Sequence, residues 1–192
     1  MLLETIKCDE GKVFNLAYHQ ARCDTSRKTL FKISTSLDLS SVIKPPPKGL
    51  YRCRVVYAVN IISIEYLPYI AKQVHTLKIV TSDLNYAFKY ANRDSLNILS
   101  NQHSDYDDIL IEKNGLITDT SIANIAFYAE GQWFTPKVPI LKGTMRAKLL
   151  HEKFLIEKDI RREDISQYTQ VALMNAMIGF EILNDINIQG IS

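Results

Sequence analysis

Four short stretches of the chain carry residue types able to do chemistry. The first is Lys89, within Ala87-Phe88-Lys89-Tyr90-Ala91-Asn92-Arg93. A lysine set among aromatic and small residues can be desolvated, which lowers its pKa and exposes a nucleophilic amine suited to Schiff-base formation. The plainer reading is a solvated lysine whose stem lies across Phe88 or Tyr90. The second is Leu141-Lys142-Gly143-Thr144-Met145-Arg146, a Gly-Thr pair at a predicted helix start. Free backbone N–H groups and the positive end of the helix dipole attract phosphate there, although Gly-Thr before a helix also serves simply as a turn and cap. The third is Asn175-Ala176 after the apolar run Val171–Met174. A small residue after a buried strand lets backbone N–H groups approach a ligand, and an asparagine there is also an ordinary turn former. The fourth is Asp119 in the stretch from Gly115 to Asn124, which taken alone reads as an N-cap or turn acid.

Other sites are excluded by what is missing. The sequence has no GxGxxG, no GxxxxGK[ST], no GxSxG and no HExxH, and its four histidines (His19, His75, His103, His151) share no i,i+4 spacing. Three widely spaced cysteines (Cys8, Cys23, Cys53) without CxxC indicate neither a disulfide framework nor a metal site, and a reducing cytoplasm fits them. Arg52 and Arg54 alternate around Cys53, so they share one face of a strand. They can bind substrate carboxylates there, or they are solvated on the outer face of a sheet.

These residues need a scaffold, and 192 residues with 46% hydrophobic and 23% charged content supply one large or two small globular domains. Lys plus Arg total 23 against 21 for Asp plus Glu, a net charge of +2 that calls for neither nucleic acid nor an anionic membrane. Small molecules are the expected partners. The uncharged, strongly apolar stretch Val55 to Ile64 has ten residues, well short of the ~20 of a membrane span. Glu4 arrives too early for the apolar region of a signal peptide.

The pattern predicts a hairpin from Leu2 through Asp9-Glu10-Gly11 to Phe14. A helix capped by Asn15 then runs to about Phe31, with Leu16, His19, Cys23, Ser26 and Leu30 near one face and Arg22 beside it. A stiff connector ends at Pro45-Pro46-Pro47. Strands are expected at 51–59, 61–66 and 76–80, all in one small sheet, and composition changes across 82–93. Beyond lie a helix at 93–101, strands at 108–111 and 124–128, a turn at Glu130-Gly131, a helix from Gly143 to Leu155, and a buried strand at 171–174. The expected architecture is mixed α/β (α+β) in two lobes: residues 1–81 a small α/β lobe, 82–88 a connector, and 89–192 a β-rich lobe.

In this order the stretches resemble the class IV aminotransferase family of pyridoxal-phosphate enzymes, which includes branched-chain and D-amino-acid aminotransferases and aminodeoxychorismate lyase. Glu4-Thr5, Gly11 and His19-Gln20-Ala21-Arg22 are similar to the family's "ET…G…H..R" opening. FKYANR (88–93) is similar to its Schiff-base segment, GLITDTSIANIAF (115–127) to the segment bearing the pyridine-nitrogen partner, LKGTMR (141–146) to the phosphate-cup helix start, and ALMNAMIGF (172–180) to the second phosphate loop. The resemblance implies a small α/β sandwich followed by a β-rich pseudo-barrel lobe, with pyridoxal 5'-phosphate as cofactor. It implies Lys89 as Schiff-base lysine and proton carrier, Asp119 at the pyridine nitrogen, and Arg22, Thr144, Met145, Asn175 and Ala176 around the phosphate. Arg93 stands directly after the lysine motif and is assigned to either pocket or surface.

Lys89 followed by Asn92-Arg93, and Asn175-Ala176-Met177 in the second phosphate loop, favour the lyase branch. That branch converts aminodeoxychorismate to 4-aminobenzoate and pyruvate in folate biosynthesis. The alternatives are an aminotransferase acting on branched-chain or D-amino acids, and a degenerate member that binds a phosphate-bearing ligand or a partner without catalysis. The family implies a homodimer acting on a small-molecule amine, and the expected location remains the cytoplasm. Two departures stand out: Asp119 where the family usually has glutamate, and an expected shortening at the N-terminus, where the family's leading strand is missing.

Overall fold

The structure is a computed structural model that describes residues 1–191. Its contacts divide it into two compact units, 1–71 with 88–92, and 72–87 with 93–191.

The first unit is built on a four-stranded antiparallel sheet. Strands β1 (Leu2–Asp9), β2 (Lys12–Val13), β3 (Leu50–Tyr57) and β4 (Ile61–Pro68) lie in the order β2-β1-β3-β4. Alternation along β1 turns Glu4, Ile6 and Cys8 inward, and Ile6 stands opposite Cys53 of β3. The predicted first turn is present, with Glu10 at φ 47° and Gly11 at φ 75°, the paired positive angles of a tight two-residue hairpin. Helix α1 (Leu16–Phe31) buries His19, Cys23, Ser26 and Arg27. It departs from expectation at both ends. Asn15 is left-handed at φ 52° and its side chain makes no cap bond, while Leu30 is exposed and Arg27 buried in its place. Arg27 is accommodated because its guanidinium donates to the carbonyls of Thr35 and Val59. The stretch after α1 is not featureless either: Asp38 caps a single helical turn, α2 (Leu39–Val42).

Residues 88–92 complete this unit at the edge of β1. The Leu3 N–H donates to the Lys89 carbonyl at 2.8 Å, the Ala91 N–H donates to that of Met1 at 3.1 Å, and Leu2 bridges to Tyr90. Phe88 and Tyr90 pack against the core formed by Leu2, Ile6, Val55 and Tyr57.

The second unit holds a larger sheet. Its elements are β5 (Thr76–Thr81), α3 (Asp94–Asn101), β6 (Asp108–Lys113), β7 (Leu116–Thr120), β8 (Asn124–Ala129), β9 (Gln132–Pro136), α4 (Thr144–His151), β10 (Leu155–Lys158), a 3-10 helix (Arg162–Gln167), β11 (Gln170–Asn175), β12 (Gly179–Leu183) and β13 (Asn187–Gln189). The main path runs β10-β9-β8-β7-β6-β5-β13, with β11 branching from β8 and carrying β12.

Two expectations are corrected. Thr76–Thr81 does not extend the first sheet; it pairs in parallel with β6, and β13 pairs in parallel with it. Strand composition marked it as β but gave no partner, and parallel pairing needs a long crossover, here the chain containing α3. The helix expected to run to Leu155 ends at His151, because Lys153 turns left-handed at φ 58° and Leu155 begins a strand parallel to β9. The core of this unit centres on Leu77, Leu110, Ile125, Phe127 and Ile160, with Trp133, Leu149 and Met174 in a neighbouring cluster. Among the described residues no helix is long and apolar enough to cross a membrane.

Candidate functional site

In the first unit an inward-facing carboxylate, fully buried on β1, requires a cation. Helix α1 supplies it. Arg22 donates from Nε to Glu4 Oε1 at 2.9 Å and from Nη2 to Oε2 at 2.5 Å, a two-pronged grip. His19 Nδ1 lies 2.6 Å from the same Oε2. Burial works to raise the Glu4 carboxyl, but the Arg22 charge and the bonds from His19 and Arg22 outweigh it and bring it to about 2. Burial likewise pushes His19 down, opposed by Glu4 and assisted by the charges of Arg22 and Lys89. His19 is therefore a neutral imidazole whose Nδ1–H donates to a permanent carboxylate. Lys89 is half-buried, fixed through its own backbone to β1, with Phe88 and Tyr90 beside it in an edge-to-face arrangement at 6.2 Å.

Arg52 and Arg54 lie on the sheet face opposite Cys53, whose side chain points into the core. Arg54 donates to Glu65 across the sheet at 2.9 Å in an exposed pair. The Arg52 Nε is buried and has no hydrogen-bond partner among the described residues. The two guanidinium groups therefore have different surroundings and form no matched pair.

The second unit gathers its expected residues around the loop joining β7 to β8. Thr120 closes that loop by accepting at Oγ1 from the Ala123 N–H and donating its own N–H to the Ala123 carbonyl. Asp119 therefore stands directly opposite Asn124. The Asp119 carboxylate is buried, accepting from Asn124 Nδ2 at 2.7 Å through Oδ1 and from the Leu141 N–H at 2.8 Å through Oδ2. Burial pushes its carboxyl up to about 6, against the opposing pull of the Leu141 and Asn124 bonds and the Arg146 charge.

Arg146 is itself buried and donates from Nη2 to the Pro136 carbonyl and to Glu157, both at 2.8 Å, which fastens the first turn of α4 to β9 and β10. That first turn carries the N–H groups of Thr144 and Met145, which by helix geometry lie outside the i→i−4 ladder. Asn175 accepts at Oδ1 from the N–H groups of Met177 and Ile178 at 2.8 and 3.0 Å, so it shapes the turn that presents Ala176, and its Nδ2 reaches the Ile122 carbonyl at 3.3 Å. Arg93 donates from Nη2 to the Ser121 carbonyl at 2.7 Å. Asp119, the α4 start, Asn175-Ala176 and Arg93 are thus all tied to residues 119–124.

Sequence reasoning singled out no role for Glu4 or Asn124. Both had a legible signal. Glu4 is a charged residue at an inward position of an alternating strand, and Asn124 is an amide placed symmetrically to Asp119 across a short loop. No group of three or more potential metal ligands occurs among the described residues.

Comparison with known proteins sets this arrangement in a family. The family model described as amino-transferase class IV matches residues 1–182. An uncharacterized protein of Haemophilus influenzae is 36% identical over 184 residues, covering 93% of this chain and 98% of that protein. The crystal structure of a putative 4-amino-4-deoxychorismate lyase from Haemophilus somnus superposes with a TM-score of 0.84 at 38% identity, covering 93% of this chain and 96% of that one. The branched-chain amino acid aminotransferase of Escherichia coli shares the fold at 20% identity, with a TM-score of 0.72 and 99% of this chain and 77% of that one covered.

Proposed function

The chain belongs to the amino-transferase class IV family, and from that premise we propose that it is a pyridoxal-phosphate enzyme that cleaves 4-amino-4-deoxychorismate to 4-aminobenzoate and pyruvate. The observation that carries the choice of reaction is the 38% identity, over nearly the whole of both chains, with the Haemophilus somnus protein bearing the lyase name. A second relative from Schizosaccharomyces pombe with the same kind of name is 31% identical over 200 residues.

The residues fit the cofactor. Pyridoxal phosphate presents an aldehyde, a pyridine nitrogen and a phosphate dianion, and the chain offers an amine at Lys89, a buried carboxylate at Asp119, and a cation at Arg22 with the helix start at Thr144-Met145. When bound, the cofactor supplies an electron-accepting ring. Lys89 would hold the cofactor through its amine and would serve as the acid/base for the proton at the reacting carbon. Asp119 is ionised at neutral pH and would serve as the counter-charge to a protonated ring nitrogen in a desolvated setting. The phosphate would be held by charge and backbone donors of the kinds that Arg22, whose guanidinium is oriented by Glu4, and the turns at Thr144-Met145 and Ala176 each carry. The working form is a homodimer.

The test is product analysis on purified protein loaded with pyridoxal phosphate. Release of pyruvate from aminodeoxychorismate without any keto-acid acceptor is the expected result. Conversion of the cofactor to its amine form by an amino acid, with no pyruvate released, would replace this reading with transamination.

A further inference from the structure

Pyridoxal phosphate carries its phosphate on a short methylene arm of a rigid ring, so the group that meets its nitrogen and the groups that meet its phosphate must keep a separation within a narrow range. In this chain one side chain spans the two. Asn124 Nδ2 donates to Asp119 Oδ1 at 2.7 Å and to the Leu141 carbonyl at 2.8 Å, which uses both of its hydrogens. The Leu141 N–H returns to Asp119 Oδ2 at 2.8 Å. The carboxylate and the amide together clasp Leu141, two positions before Gly143. Turning the amide over would set its oxygen against two acceptors, so its orientation is fixed.

The other side of the same amide explains the glycine. A Cβ on Gly143 would stand 2.0 Å from Asn124 Oδ1 and 3.2 Å from its Cγ. Gly143 has φ −70° and ψ 148°, angles that any residue adopts, so glycine is needed there for room and not for backbone freedom. The three atoms nearest to that Cβ all belong to Asn124, and apart from the glycine's chain neighbours nothing else comes within 3.8 Å. Position 143 is kept bare for Asn124 alone.

We infer that Asn124 is a positioning residue whose amide sets the spacing between the Asp119 carboxylate and the start of α4, and that Gly143 is its structural counterpart. The inference rests on the pyridoxal-phosphate reading given above. Asn124 acts through Asp119 and α4. It holds the carboxylate in place with one hydrogen and the approach to the helix with the other, so that ring nitrogen and phosphate are met together.

Equilibrium dialysis of the apoprotein against pyridoxal phosphate and, separately, inorganic phosphate tests this in the wild type, G143A, N124A, N124D and the double variant N124A/G143A. Each single change should weaken pyridoxal phosphate binding by about tenfold or more, the scale of one buried charged hydrogen bond. Inorganic phosphate, which needs no spacing to Asp119, should weaken much less. The double variant should bind no more weakly than N124A, because the clash at position 143 has gone with the amide. N124D preserves the side-chain volume and places oxygen against Asp119 Oδ1, so it reports even if N124A fails to fold. Losses that add in the double variant, or that fall equally on both ligands, would overturn the role of Asn124 while leaving the functional reading intact. A wild-type protein that binds no pyridoxal phosphate would instead remove that reading and this inference with it.

Discussion

Arg22 and Glu4 meet as a two-pronged ion pair, Nε to Oε1 at 2.9 Å and Nη2 to Oε2 at 2.5 Å, with the carboxylate wholly removed from solvent. The pair joins a helix to a strand and fixes the plane of the guanidinium. Its geometry makes Glu4 a residue on which folding depends and, in the proposed function, one that orients Arg22 for phosphate.

Replacing Glu4 by alanine leaves Arg22 without its counter-charge and His19 without its acceptor. The expected loss of stability is about 3–5 kcal/mol, as for other broken buried pairs. Urea unfolding measures it, and a loss below 1 kcal/mol would mean that the pair is not buried in solution.

The same carboxylate gives an acid signature. Its value of about 2 lies below the ordinary 4.5, so the unfolded chain takes up the proton first as pH falls. Glu4 contributes stability that is complete above about pH 4.5 and lost as pH falls toward 2, amounting to roughly 3 kcal/mol. Denaturation curves collected across this range should show that slope in the wild type and its absence in E4Q.

Asp119 behaves with the opposite sign. Its carboxyl is raised from 3.8 to about 6, so between these values the folded apoprotein holds more protons than the unfolded chain. Apoprotein stability therefore carries a term that declines as pH rises from about 4 to 6, roughly 3 kcal/mol in all. A bound ring with a protonated nitrogen reverses the preference by favouring the ionised acid. Pyridoxal phosphate should accordingly bind more weakly as pH drops through 6, and titration by absorbance at several pH values checks this.

Borohydride reduction of the loaded protein should attach the cofactor permanently to Lys89, located by mass spectrometry of the peptides. K89A should lose the visible absorbance band. A band that survives in K89A would place the covalent link at another lysine.

The two arginines of β3 should separate in kinetics. R54A removes an exposed pair with Glu65, worth at most about 1 kcal/mol, and should leave turnover and KM near their wild-type values. R52A removes a guanidinium whose Nε has no partner among the described residues, and should raise KM for a carboxylate-bearing substrate by about tenfold, the scale of one charged hydrogen bond. Equal effects from both would return the pair to a shared role.

What the sequence made legible was local. Alternation in β1, the Glu10-Gly11 turn and the span of α1 all follow from near neighbours, and the structure agrees on each. Partnership was not legible. Thr76–Thr81 has the composition of a strand for either sheet, and only the distant β6 and β13 decide which one receives it. The helix end at His151 is set by Leu155 joining β9 opposite Trp133, 22 positions earlier in the chain. The same division holds for the candidate residues. Lys89 and Asp119 stand out through their neighbours in the chain, whereas Glu4 and Asn124 gain their meaning from partners 18 and 17 positions away.

The segment Phe88–Asn92 belongs to the first unit, although the chain on both sides of it belongs to the second. A nascent chain that has emerged only to residue 71 therefore lacks the edge that pairs with Leu2 and Leu3, together with Phe88 and Tyr90 from the core. Neither unit is a continuous stretch of gene. Shuffling or truncating at Ala71 would separate Lys89 from the strand that fixes its backbone, so this lysine and its supporting sheet hold together only when both pieces of chain are present.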